Sequence, residues 1–114
     1  MQKYLTNKIH IHRVLRAVKL IYRITPARIR TDISSDIADI RNFALYLLVK
    51  YSSASFEMIA DKFVDITIKK LKSIKADISL SKKYEKDELK FLDIFKEGYD
   101  MSKKAQEELK KRLK

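Results

Sequence analysis

Four lysines and a serine, Lys69, Lys70, Lys72, Ser73 and Lys75, alternate with the apolar residues Leu71, Ile74 and Ile78 in one short run. On a helix this spacing turns the apolar residues inward and leaves the amines and the hydroxyl on an outer face. An ammonium group neutralises phosphate, and lysine also donates to guanine O6 and N7 in the major groove. Thr67, just before the run, adds a hydroxyl. The chemistry offered is recognition of an anion rather than bond-making. Ile66 and Ile68 could touch thymine methyls, although Ile68, one turn before Leu71, fits a core position better. Around this helix, Arg41, Lys62, Lys72 and Lys75 are candidates for phosphate contacts that set orientation. Arg28 and Arg30, in the first connection, are candidates for an adjacent groove or phosphate.

Other chemistries find no constellation. His10 and His12 are two apart on a predicted helix, so they are expected on different faces rather than as an i, i+4 metal pair. Acidic residues are scattered over helix surfaces, and no nucleophile, base and orienting group can be brought together by spacing. The chain is therefore expected not to be an enzyme and to need no metal or other cofactor. Tyr4, Tyr22, Tyr46, Tyr51, Tyr84 and Tyr99 could stack on single strands, but most fall on or beside inward stripes, which favours packing.

Composition sets the frame that must hold these residues. The 114 residues carry 26 Lys and Arg against 15 Asp and Glu, a formal net charge of +11, which favours an anionic partner. Hydrophobic residues make up 46%, too many for a disordered tail. One glycine and one proline leave little material for tight hairpins or Gly-rich loops, so sandwiches, P-loops and dinucleotide folds are disfavoured. Absence of cysteine excludes disulfides and thiolate metal sites and fits a cytoplasmic location. No apolar run approaches the roughly 20 residues of a membrane span, so no membrane partner is expected.

An all-α fold follows: a compact helical bundle containing a helix-turn-helix, with a C-terminal helical extension. The first helix is predicted near Asn7 to Arg23, with Ile11, Leu15, Val18 and Tyr22 as one stripe. Pro26 to Arg30 suits a short helical turn. Ser34 and Ser35 offer caps to a second long helix with Ile37, Ile40, Ala44, Leu47 and Tyr51 inward. A short helix follows from Ser55 to Phe63, then a turn without glycine, then the lysine-bearing helix from near Thr67. After Ser81 the pattern thins to Leu89, Leu92, Phe95 and Tyr99, and Ser102 can cap a last helix with Ala105, Leu109 and Leu113. The expected division is 1–82 for the helix-turn-helix domain and 83–114 for the extension packed on it. Either thin apolar face could instead support a homodimer.

With the helices placed, the chain from about Ile9 to Leu92 resembles the C-terminal DNA-binding domain of the bacterial chromosomal replication initiator DnaA, a Trp-repressor-like helix-turn-helix. The family's Arg-Gln-Ile-Ala-Met-Tyr-Leu corresponds to Arg41-Asn-Phe-Ala-Leu-Tyr-Leu47. Its Leu-Ser-Leu-Pro-Glu-Ile-Gly-x-x-Phe aligns without a gap on Ala54-Ser-Phe-Glu-Met-Ile-Ala-Asp-Lys-Phe63. Its recognition-helix core positions fall on Leu71, Ile74 and Ile78. The family signature Gly-Gly-Arg-Asp-His-Thr-Thr-Val is replaced by Val64-Asp-Ile-Thr-Ile-Lys-Lys-Leu71, so its base-reading positions are Thr67, Ile68, Lys69 and Lys70. The arginine-rich loop of the family is replaced by Asp32-Ile-Ser-Ser-Asp36, whose acids repel phosphate. The resemblance implies a helix that faces double-stranded DNA and a role as a transcriptional or replication regulator, without the family's binding-site sequence. The alternative expectation is a retained scaffold that has lost base reading and binds an acidic protein.

Overall fold

Residues 9–95 are described by the structure, a computed structural model. Among them the chain forms α1 (Ile11–Tyr22), α2 (Pro26–Thr31), a 3-10 turn (Ser35–Ile37), α3 (Ala38–Tyr51), α4 (Phe56–Lys62), α5 (Ile68–Ala76), α6 (Leu80–Lys83) and α7 over 85–95. No β-strand occurs among these residues; Ile9 makes one isolated parallel bridge to Ser52. The all-α bundle expected from composition is what is found.

The central element is α3. Phe43, Ala44, Leu45, Tyr46, Leu47 and Leu48 are all buried, so this helix is covered nearly all round rather than along one stripe. α1 packs on it through Val14, Leu15, Ala17 and Val18, and α5 packs on it through Leu71 and Ile74. α2 contributes Ile29 and α4 contributes Ile59, both without exposure.

Helix boundaries follow local chemistry. Thr25 Oγ1 accepts from the Arg28 amide at 3.2 Å, with Pro26 at the first helical position. Ser55 Oγ accepts from Met58 N at 3.2 Å and Thr67 Oγ1 from Lys70 N at 3.1 Å. In contrast, Ser34 and Ser35 do not cap α3 with their side chains; the 3-10 turn leads directly into the helix at Ala38. α1 starts at Ile11 rather than near Asn7, because Ile9 is held extended by bonds from its amide to Tyr51 O (3.0 Å) and from Ser53 N to its carbonyl (2.9 Å).

α7 docks mainly through Glu88 and Phe91, with Tyr84 buried just before it; of the expected stripe, Leu89 is 56% exposed, whereas Leu92 and Phe95 are half-buried against the core, and Phe91 is fully buried. The Glu88 carboxylate accepts from Tyr46 Oη at 2.6 Å, from Lys50 Nζ at 2.7 Å and from the Tyr51 hydroxyl, tying α7 to α3. Tyr22 Oη donates to Asp87 at 2.5 Å, tying it to α1. Tyr22, Tyr46 and Tyr51 are thus packing and hydrogen-bonding groups, and Tyr84 packs its ring on Phe43 and Tyr46. The expected helix at Ala105, Leu109 and Leu113, and Tyr4 and Tyr99, lie outside the described residues.

Candidate nucleic-acid interface

Helix α4, a break over residues 63–67 and helix α5 form the helix-turn-helix unit. Such turns often rely on glycine. Here Asp65 takes the left-handed conformation, with φ at 61°, which aspartate tolerates better than most residues. The turn is fastened from behind. Val64 N donates to Arg30 O at 2.8 Å, and the Arg41 guanidinium donates to Ile29 O at 3.1 Å, to Arg30 O at 3.3 Å and to Val64 O.

That clamp revises one expectation. Arg41 is only 8% exposed and its guanidinium is occupied by three backbone carbonyls, with the Phe63 ring 5.7 Å from its carbon centre. Burial lowers its pKa. It fixes α2 and the turn onto α3 and does not face a phosphate. Arg28, too, is engaged: its Nε lies 2.9 Å from Asp32 Oδ2. Hydrogen bonds from Ser34 and Arg28 hold the Asp32 carboxyl down at about 2, so the loop presents ionised acid beside a compensated arginine.

On α5 the inward residues are Leu71, fully buried, and Ile74. Ile78 departs from the expectation. The helix ends at Ala76, and Ile78 lies in the following turn with 90% of its surface exposed. Asp77 causes this ending: its backbone is extended, and its carboxylate accepts from Ser79 N (3.0 Å) and Ser79 Oγ (2.5 Å), closing a local turn.

Lys69, Lys70, Lys72, Ser73 and Lys75 are all exposed. At 3.6 residues per turn, Lys69, Lys72 and Ser73 crest the side opposite Leu71 and Ile74, while Lys70 and Lys75 flank it. Lys70 and Ser73 border a small concavity with Asn42, Asp77, Lys83 and Tyr84. Lys75 extends over the Phe56 ring, 5.8 Å from its centroid, and so also braces α5 against α4. Ile66 and Ile68 are half-buried. Thr67 is exposed but its hydroxyl is the helix cap. No acidic residue occurs within α5.

Arg30 and Lys62 belong to a different place. Both line a groove of about 380 Å³ between the starts of α1 and α2, the Ser53–Ala54 connection and α4. His10 and His12 line it too. Because His10 precedes the helix with extended backbone, the two rings stack at 5.9 Å instead of diverging, and sequence reasoning that began the helix earlier missed this. Placing the helix start at Ile11 would have revealed it.

Among the described residues no cluster of three or more potential metal ligands occurs, and no helix is long and apolar enough to cross a membrane. The chain matches no family model, no curated protein and no solved structure.

Proposed function

We propose that this domain binds double-stranded DNA by laying α5 in the major groove, and that it serves as a small transcriptional or replication regulator in the cytoplasm. The single observation that carries this reading is the acid-free crest of α5, with exposed Lys69, Lys72 and Ser73 above buried Leu71 and Ile74. The break at 63–67, which lets α5 stand apart from α4, supports it, as does the net charge of +11. The scaffold resemblance to the DnaA DNA-binding domain points the same way.

Lys69, Lys70, Lys72 and Lys75 are the amines available to phosphates or guanine edges in this reading, with Ser73 a hydrogen-bonding neighbour. Arg41 is occupied by the backbone carbonyls it holds, and Arg28 is paired with Asp32, so neither is counted among these amines. If about six phosphates are neutralised, log affinity falls with log salt at a slope near −5. Fluorescence polarisation of a labelled random-sequence duplex over a salt series measures that slope; a value shallower than about −2 removes the duplex-binding reading.

A second reading keeps one observation of its own. The loop from Asp32 to Asp36 carries ionised acid, with Arg28 neutralised by Asp32, where the resembling family places groove-entering arginines. A domain of this kind could use the same lysines on an acidic protein. Saturable binding to such a partner, together with salt-shallow attraction to every duplex, separates the two.

A further inference from the structure

We propose that the groove between α1, α2 and α4 binds a small anion with an apolar body, a carboxylate on a short hydrocarbon chain or ring. Its volume of about 380 Å³ falls within the roughly 300–1,000 Å³ of small-molecule pockets. The floor is apolar: Ile11, Leu15, Pro26 and Ala54 line it. Met58 stands beside them with 54% of its surface exposed, a flexible thioether able to close on an apolar ligand.

The rim is of one sign. Arg30 and Lys62 both border the groove, and no acidic residue does. Neither belongs to any of the ion pairs among the described residues, in contrast to Arg28, Lys50, Lys83 and Lys90. Their backbones are held together, since Arg30 O accepts from Val64 N at 2.8 Å, two residues beyond Lys62. A guanidinium fork offers a carboxylate two parallel donors, and an ammonium adds a point charge. The stacked imidazoles of His10 and His12 supply further N–H donors at the same rim.

Those two halves select the ligand class. A phosphate dianion alone would leave the floor wet, and a neutral hydrocarbon would leave the cations without a partner. An amphipathic carboxylate satisfies both. No residue of α5 lines this groove, so ligand binding there is read without DNA and apart from the lysines of α5.

The test is a titration of the full chain with octanoate, without DNA, followed by amide chemical shifts, with octylammonium and octanol as controls. Octanoate should move Ile11, Leu15, Ala54 and Met58 saturably, and octylammonium should not. Arg30→Ala/Lys62→Ala should weaken octanoate at least tenfold, while the charge-matched Lys82→Ala/Lys86→Ala, at exposed positions away from the groove, binds as the unaltered chain does. Met58→Glu, at an exposed position, keeps the test decisive if the double variant folds poorly; it should abolish binding. Equal responses to octanoate and octylammonium, shifts confined to other surfaces, or full affinity in both groove variants would overturn the proposal.

Discussion

Replacing Arg41 with methionine should destabilise the domain by about 3 kcal/mol, given the charged hydrogen bonds at about 1.5–3 kcal/mol each. Arg41 makes three of them, to Ile29, Arg30 and Val64 carbonyls. Against this stands the cost of burying a guanidinium with no carboxylate in contact among the described residues, several kcal/mol, which methionine recovers while refilling the aliphatic volume. The carbonyls do not suffer equally. Arg30 O keeps its bond from Val64 N, and water can reach the exposed Val64. Ile29 has no exposure, so its carbonyl is left stranded at about 1–3 kcal/mol. Loss of the Phe63 ring contact adds about 1 kcal/mol.

Urea unfolding should therefore show the midpoint lowered by roughly 1–3 M for m values of about 1–3 kcal/mol/M. Arg41→Lys should fall between the two, because one ammonium cannot span three carbonyls. Exchange of the Val64 amide should accelerate in step, since its bond to Arg30 O depends on the same clamp. An Arg41→Met protein as stable as the unaltered chain would refute the clamp and return Arg41 to the candidates for phosphate contact.

Further outcomes follow from burial and titration. Glu88 is 7% exposed, and although burial opposes its charge, hydrogen bonds from Lys50, Tyr46 and Tyr51 bring its pKa below the usual 4.5. The folded state thus favours the ionised carboxylate. Its contribution is present above about pH 4.5 and is lost as pH falls through the lowered folded value. Glu88→Gln should cost about 2 kcal/mol at pH 7 and clearly less at pH 3 by urea unfolding, and a gap independent of pH would contradict this role. Leu71→Ala should cost about 2–5 kcal/mol, whereas Ile78→Ala should stay within about 0.5 kcal/mol. Equal losses by thermal melts would return Ile78 to the core.

Much of the helical order was legible before any coordinates. Hydroxyl caps at Ser55 and Thr67 and proline at position 26 mark starts that local hydrogen bonds alone determine. Local spacing was less able to locate helix ends that depend on competing bonds. Ile78 fits the α5 stripe by arithmetic, yet the helix ends two residues earlier at Ala76, where the Asp77 carboxylate turns the chain. Ile9 and His10 read as helix, but Ile9 pairs with the far end of α3, a contact across more than 40 residues that no short window contains, and His10 becomes the residue before the helix. Arg41 illustrates the limit at the site: an arginine before an apolar run looks like a surface cation until the three carbonyls that surround it are assembled from α2 and the turn. The lysines of α5 were visible as a group, but only the helix bounds separate Lys69 and Lys72 on the crest from Lys70 and Lys75 on the flanks.

The most direct measurement compares two variants of equal charge on one labelled duplex at near-physiological salt. Lys69→Ala/Lys72→Ala removes the crest of α5, and Arg16→Ala/Lys19→Ala removes two exposed cations of α1. The crest variant is expected to bind at least tenfold more weakly with unchanged helicity, and the α1 variant to lose no more than the salt-screened effect of net charge, about threefold. Equal losses in both would mean that attraction comes from net charge alone and that α5 is not the reading helix.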